Sequence, residues 1–143
     1  FDTWVNNAGV TVVGTVDEVA LADARRLMDV NFWGVVHGCR VAVPRLRRRG
    51  GALVTVGSGL GDRAIPLQGF YSATKHAVQG FVDALRVELR AEGAPIAVSL
   101  VKPASIDTPI YETARNYRPV EPRPIPPLYH PDVVARAILR CAT

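Results

Sequence analysis

Tyr71 and Lys75 stand four residues apart in a segment whose apolar spacing predicts a helix. Side chains at that spacing share one helix face, with β-carbons about 5 to 6 Å apart, so the ammonium can approach the phenol. A cation at about 4 Å is worth about 4 kcal/mol at an effective dielectric of 20. That energy would lower a tyrosine pKa from about 10 to near 7. The pair is therefore a candidate proton donor and acceptor.

A tyrosine and lysine at this spacing also occur by chance, and many such pairs are only surface neighbours. Their position favours chemistry. Ser58 precedes Tyr71 by thirteen residues and follows an apolar run, residues 52–56, that is typical of a buried parallel strand. Its hydroxyl can project into the same crevice and donate to a substrate carbonyl oxygen.

Alternating strand and helix patterns must position these side chains. Strands are predicted within residues 2–13, which include a glycine turn, and over 52–56 and 96–101; helices are predicted over about 21–48, 70–91 and 132–141. This order predicts a parallel sheet with helices on both faces and ligands outside the carboxyl ends of the strands.

Composition sets several other chemistries aside. The chain of 143 residues is 48% hydrophobic, which predicts one soluble domain. No apolar run approaches the roughly 20 residues of a membrane-spanning helix, so we expect a cytoplasmic enzyme without a membrane partner. Cys39 and Cys141 are predicted to be buried apolar side chains, and the histidines show no ligand spacing, so no metal site is expected.

The net charge of +4 is concentrated in one basic run, residues 45–49. Arginines in the last turn of a helix offset the negative end of its dipole, and a following glycine commonly ends the helix. The run lacks interleaved aromatic residues, so we favour a helix end over a nucleic-acid patch.

Five segments together resemble the signature of the short-chain dehydrogenase/reductase family in order and spacing. They are NNAG at residues 6–9, DVN at 29–31, Ser58, YSATK at 71–75 and PASIDT at 103–108. Ala104 stands where the family usually has glycine. Motifs in their expected strand and helix context count far more than isolated ones. The resemblance implies part of a Rossmann-type doubly wound parallel sheet, with strands 4 to 6 present and the N-terminal βαβ half absent.

The resemblance also implies roles for the reactive residues. Tyr71 would exchange a proton with the substrate oxygen, Lys75 would lower the tyrosine pKa and bind the nicotinamide ribose, and Ser58 would polarise the carbonyl. Asn31 would hold a water that continues the proton path. The bland alternative is that Asn31 only bonds the backbone.

The implied cofactor is NAD or NADP, with NADP slightly favoured, and the implied substrate is a small alcohol or carbonyl compound. Ile106 and Thr108 would contact the nicotinamide carboxamide. The other implied cofactor-binding residues are Asn7, Ala8, Gly9, Pro103, Tyr71 and Lys75. The alternative for residues 6–9 is a turn that only ends a strand.

The family's glycine-rich phosphate loop does not occur in these 143 residues. Gly57, Gly59 and Gly61 follow the strand that bears Ser58, so we reject them as a phosphate cradle. The chain begins at Phe1 and its one methionine is Met28, so we expect a fragment with a bare sheet edge and poor nucleotide binding.

Residues 1–143 are expected to form one catalytic part of a Rossmann domain, with a substrate loop over about 103–131. A PxxP pattern at residues 119–122 also fits an SH3 ligand. The two long helices, about 21–48 and 70–91, are expected to form a homodimer or homotetramer interface. An epimerase or dehydratase, and a non-enzymatic association module, stay open as alternatives.

Overall fold

The computed structural model describes residues 1–142. Its strands are β1 (Thr3–Asn6), β2 (Val12–Val13), β3 (Gly51–Val56), β4 (Ile96–Val101) and β5 (Arg115–Asn116), and its helices are α1 (Leu21–Met28), α2 (Gly34–Arg49), α3 (Gly69–Ala91) and α4 (Asp132–Ala142). A π-helical turn (Asp29–Trp33) joins α1 to α2, and a 3₁₀ turn (Gly59–Gly61) follows β3.

The main sheet is parallel, in the order β1-β3-β4. Thr3 pairs with Ala52, and Gly51 pairs with Ile96. The predicted parallel α/β sheet is therefore confirmed. β1 lies at the edge, where its one neighbour in the sheet is β3, and Val5 is 39% exposed. This is the bare sheet edge that the sequence predicted, and the strand, which was predicted to be buried, is only partly buried because nothing among the described residues covers that edge.

Residues 2–13 do not form one interrupted strand. Val12 and Val13 leave the main sheet and pair with Arg115 and Asn116 in a separate two-stranded parallel sheet. A two-residue pairing across about 100 positions of sequence leaves no periodic signal, so the sequence pattern could not predict it.

The predicted helix over about 21–48 is continuous but not uniform. Its middle turn, Asp29–Trp33, is π-helical, and the N–H of Gly34 bonds to the carbonyl of Asp29. Such turns are rare and occur often at functional sites. Gly50 ends the helix with a φ of 77° and donates its N–H to the Leu46 carbonyl, as the basic run before it predicted.

The main core lies between one sheet face and the helices α2 and α3. Leu53 of β3 packs there with Cys39 and Leu46 of α2 and Val78 and Val82 of α3. Side chains alternate along a strand, so Val54 and Val56 point to the other face, where α4 lies near β3 and β4. Helices on both faces confirm the predicted layering.

The two cysteines differ in burial. Cys39 is buried in the main core as predicted, whereas Cys141 in α4 is only half-buried. The prediction for Cys141 was wrong because α4 keeps no side chain fully buried. None of the helices in residues 1–142 is long and apolar enough to cross a membrane.

A buried amide fixes β1 against α2. Asn6 accepts a hydrogen bond from the Trp4 indole at 2.8 Å and donates to the Thr55 hydroxyl at 3.2 Å and the Cys39 sulfur at 3.4 Å. Helix α2 comes close enough for this only because residue 38 is glycine. A β-carbon there would lie 2.1 Å from the Asn6 amide oxygen.

Gly38→Ala is therefore expected to destabilise the chain by about 2 kcal/mol, because the added methyl group displaces the Asn6 amide from its partners. Urea denaturation measures the change. Gly80→Ala in α3 is the matched control, since a β-carbon there meets nothing within 4 Å. It is expected to stabilise by about 0.5 to 1 kcal/mol through helix propensity alone. Equal effects of the two substitutions would contradict the packing account.

Candidate active site

Ser58 lies directly beyond the carboxyl end of β3. Its hydroxyl oxygen accepts the N–H of Leu60 at 3.1 Å and caps the 3₁₀ turn. Gly57 donates to the Val101 carbonyl at 2.7 Å and Gly59 to the Pro103 carbonyl at 2.9 Å. These bonds extend the pairing of β3 with the last residue of β4 and the chain that follows it, so the backbone on both sides of Ser58 is held in place.

Tyr71 and Lys75 lie in the first turns of α3, as predicted. The Lys75 ammonium is 5.6 Å from the centre of the Tyr71 ring, and it donates to the Val56 carbonyl at 3.2 Å. Lys75 is only 7% exposed. The Ser58 hydroxyl lies close enough to the Tyr71 phenol to lower the pKa of that phenol. The structure thus brings Ser58, Tyr71 and Lys75 together at the end of β3.

The electrostatics of the pair differ from the sequence-based expectation. Burial raises the pKa of the Tyr71 phenol, the neighbouring Ser58 hydroxyl opposes that effect, and the nearby Tyr111 phenol adds to it. Burial also lowers the pKa of Lys75 from 10.5 to about 8. The pKa of Tyr71 is therefore raised and not lowered as the sequence predicted, because desolvation is the largest effect on the phenol.

Asn31 lies in the π-helical turn and is almost fully buried. Its amide accepts the N–H of Val10 at 2.9 Å, donates to the Val10 carbonyl at 2.9 Å and donates to the Thr74 hydroxyl at 3.1 Å. The two bonds to Val10 are those expected if Asn31 only bonds the backbone. The bond to Thr74 adds a side-chain partner. The predicted role of Asn31 in holding a water stays a prediction.

Gly9 separates Asn31 from the reactive cation. A β-carbon at Gly9 would lie 3.7 Å from the Asn31 amide oxygen and 3.9 Å from the Lys75 ammonium nitrogen. The bare backbone of Gly9 therefore leaves an open space beside Lys75 that a side chain would fill.

One cavity of about 1050 Å³ contains most of the predicted residues. Its lining includes the reactive Ser58, Tyr71 and Lys75, and also Asn7, Gly9, Pro103, Ile106 and Thr108. Asn31 lies behind its wall. Ala8 lines a smaller neighbouring groove of about 370 Å³ with Trp4 and His37, because the turn points it toward α2. The structure does not bring Ala8 to the main cavity.

The sequence missed a large part of the cavity wall. Thr11 and, in α4, Val134, Ala135 and Ile138 also line it, whereas the prolines at 124, 126 and 127 lie in the predicted substrate loop. The spacing of three and four residues in α4 signalled an apolar face, although not what that face covers. Among the described lining residues, Lys75 alone carries a charge. Residues 1–142 hold no group of three or more histidine, cysteine or acidic side chains placed to bind a metal ion.

Lys75→Met is expected to stabilise the chain at pH 7 by about 3 kcal/mol. The folded state disfavours the charged lysine, and a depression from 10.5 to about 8 corresponds to that energy. The free-energy cost of burying the charged Lys75 is fully present below about pH 8, where the lysine is charged in both the folded and the unfolded state. The cost disappears as the pH rises to 10.5, because the lysine loses its proton. Chemical denaturation at pH 7 and pH 10.5 should show the gain only at the lower pH.

Lys102→Met is the control, because Lys102 is exposed and its ammonium pairs with Asp62 at 2.8 Å. It should bring no stabilisation at either pH. A Lys75→Met variant that is less stable than the original chain at pH 7 would contradict the burial penalty.

Comparison with known proteins agrees with this geometry. Residues 1–118 match the sequence profile of the short chain dehydrogenase family. The chain is 44% identical over 145 aligned positions to an uncharacterized oxidoreductase of Bacillus subtilis, YxnA, across 99% of this chain and 41% of that protein. This chain belongs to the short-chain dehydrogenase family.

Two further proteins, one found by sequence and one by structure, have lower sequence identity to this chain. A 3-ketodihydrosphingosine reductase of Bacteroides thetaiotaomicron is 37% identical over 108 residues, which are 75% of this chain and 39% of that protein. An alcohol dehydrogenase from the archaeon Thermococcus sibiricus, complexed with 5-hydroxy-NADP, superposes with a TM-score of 0.80 at 25% identity over 98% of this chain and 55% of that one. The chain spans about two-fifths of the curated relatives that it matches.

Proposed function

We propose that this chain carries the catalytic centre of an NAD(P)-dependent oxidoreductase that moves a hydride between a nicotinamide cofactor and an alcohol or carbonyl substrate. The observation that carries the proposal is the convergence of Tyr71, Lys75 and Ser58 on one cavity at the carboxyl ends of parallel strands. Family membership supports it, since an oxidoreductase is among the chain's relatives.

Tyr71 is the proton donor in reduction and the acceptor in oxidation. Burial raises the pKa of the phenol, and the protonated form that burial favours can donate to a carbonyl oxygen. The Ser58 hydroxyl donates a second hydrogen bond to the same oxygen and stabilises the charge that develops there. The Lys75 cation, held by the Val56 carbonyl, stabilises the phenolate that remains on Tyr71.

The cavity fits a nicotinamide nucleotide. Gly9 leaves space beside Lys75, whose ammonium can bind the ribose hydroxyls, and Ile106 and Thr108 stand in the wall where the carboxamide would be recognised. Asn7 and Pro103 complete the proposed contacts. When bound, the nicotinamide supplies or accepts the hydride. We keep NADP as the preferred form, in line with the 5-hydroxy-NADP in the Thermococcus relative.

The substrate is proposed to be an uncharged apolar alcohol or ketone. Leu60, Ile65, Ile110 and Tyr111 line the cavity, and the described lining offers no arginine to pair with a carboxylate or phosphate. A charged substrate would lose its hydration there without a matching partner, apart from the lysine assigned to the cofactor.

A homodimer or homotetramer through α1, α2 and α3 also stays a proposal. Val41 of α2 and Val87 of α3 are 44% and 66% exposed, and Trp33, in the π-helical turn between α1 and α2, is 47% exposed. A cytoplasmic location, the absence of a nucleic-acid partner and a single domain over residues 1–143 are likewise predictions.

Tyr71→Phe is expected to lower turnover at least about a hundredfold, because the proton donor is lost while the ring keeps its packing. The test uses the product of the full open reading frame that contains this chain, with NADPH or NADH, and follows reduced nicotinamide absorbance with 2-decalone, cyclohexanone and pyruvate. The two uncharged ketones should react and pyruvate should not.

Ser72→Ala is the matched control on the same helix, because the buried Ser72 hydroxyl has no hydrogen-bond partner among the described residues. It should keep full turnover. Turnover that is indifferent to Tyr71 would instead favour another reaction class, and a folded product without redox turnover would favour a non-enzymatic association module.

Residues 1–143 alone are expected to bind NADPH about a hundredfold more weakly than the product of the full reading frame. The 143 residues contain no glycine-rich phosphate loop, and the loss of two charge-assisted hydrogen bonds to phosphate accounts for that factor. Isothermal titration of both proteins measures it. Equal affinities would show that phosphate recognition lies within this chain.

A further inference from the structure

The segment of residues 109–131, here called the lid segment, is tied to the rest of the chain near its middle. β5 pairs with β2, and the N–H of Tyr117 donates to the Val13 carbonyl at 2.8 Å. Both arms that flank this point line the cavity: Ile110 and Tyr111 before it, and Pro124 and Ile125 after it. Contacts that hold residues 115–118 therefore fix one wall of the cavity.

The strongest side-chain contact at this point is made by the Tyr117 phenol. Its hydroxyl donates to the Asp23 carboxylate at 2.5 Å and accepts the N–H of Ala20 at 3.2 Å. Ala20 directly precedes α1 and has no side chain that could cap the helix. The phenol thus bonds both to the first turn of α1 and to the residue before it, and hydrogen bonds to charged acceptors are among the stronger ones.

The Tyr117 ring packs into the second apolar cluster. Val19 and Leu27 are buried there, and Tyr71 and Tyr117 pack against that cluster. A β-carbon at Gly14 would lie 3.0 Å from the β-carbon of Tyr117, so glycine makes room for this packing. The same cluster therefore receives the lid segment and the proposed proton donor.

Two exposed ion pairs also hold the lid segment, but they contribute less than the contact between Tyr117 and Asp23. Arg118 pairs with Glu18 at 2.6 Å, and Arg115 approaches Asp23 at 3.5 Å while 71% of its side chain is exposed. Exposed ion pairs contribute little each. The contact between Tyr117 and Asp23, which is half-buried, is the one whose loss should release the segment.

We propose that Tyr117 and Asp23 are positioning residues that set substrate affinity by holding the lid segment over the cavity from outside it. Neither side chain lines the cavity. Their loss therefore weakens substrate binding and leaves the chemistry at Tyr71 unchanged. The inference rests on the proposed function, and its test separates the two.

The test uses the product of the full reading frame with NADPH and 2-decalone. Tyr117→Phe should raise KM about tenfold and leave kcat within about twofold, because it removes a hydrogen bond to a charged group and keeps the ring. Asp23→Ala should do the same. Asp23→Asn keeps an acceptor oxygen for the phenol and should restore KM.

The control variant is Glu92→Gln, which breaks an exposed ion pair with Arg47, 2.6 Å long, outside the lid contacts. It should leave KM unchanged. Hydrogen exchange measured by mass spectrometry gives a second readout that needs no turnover. Amides in residues 109–131 should exchange faster in Tyr117→Phe and Asp23→Ala than in Asp23→Asn, Glu92→Gln or the original protein.

The inference would be overturned if amides in residues 109–131 of Tyr117→Phe exchanged at the rates of the unsubstituted protein. A loss of kcat at constant KM would also overturn it. Absence of turnover in every protein would contradict the proposed function. The hydrogen-exchange rates alone would then decide whether Tyr117 holds the lid segment.

Discussion

The buried amide of Asn31 is the contact on which the site depends. It accepts the N–H of Val10 and donates to the Val10 carbonyl, in the turn after β1. It also donates to the Thr74 hydroxyl of α3. Thr74 in turn donates to the Tyr71 carbonyl at 2.8 Å. One side chain thus connects the proposed cofactor turn, the π-helical turn and the helix of the proton donor. Thr74 is buried and Val10 is half-buried, so losing the Asn31 amide would leave polar groups unpaired, at about 1 to 3 kcal/mol for a buried one.

Burial gives this site its chemistry at a cost to stability. Lys75 is held with little exposure, and its pKa of about 8 shows that the fold disfavours its charge. A chain selected for stability alone would place an apolar side chain there. Strongly perturbed ionisable groups in a cleft are a common sign of a functional site. The pKa of Tyr71 is raised for the same reason, because both groups line the same largely uncharged cavity, where burial disfavours their charged forms.

Sequence reasoning predicted the parts of the fold that follow from local pattern. The alternation of strands and helices predicted the parallel sheet. The position of Ser58 at the end of a strand, thirteen residues before Tyr71, predicted that the two side chains share one crevice. It could not give the π-helical turn, which depends on hydrogen-bond register. Nor could it give the pairing of β2 with β5, which joins residues distant in sequence, or the direction of Ala8, which depends on the turn. The pKa of Tyr71 was predicted with the wrong sign because burial is a property of the assembled fold.

The most direct test of the central claim is a crystal structure of the product of the full reading frame with oxidised NADP and the alcohol 2-decalol. The account predicts the substrate oxygen within about 3 Å of both the Tyr71 and Ser58 hydroxyls, with the Lys75 ammonium at the ribose. A substrate oxygen that meets neither hydroxyl, or a nucleotide bound away from Gly9 and Lys75, would contradict it.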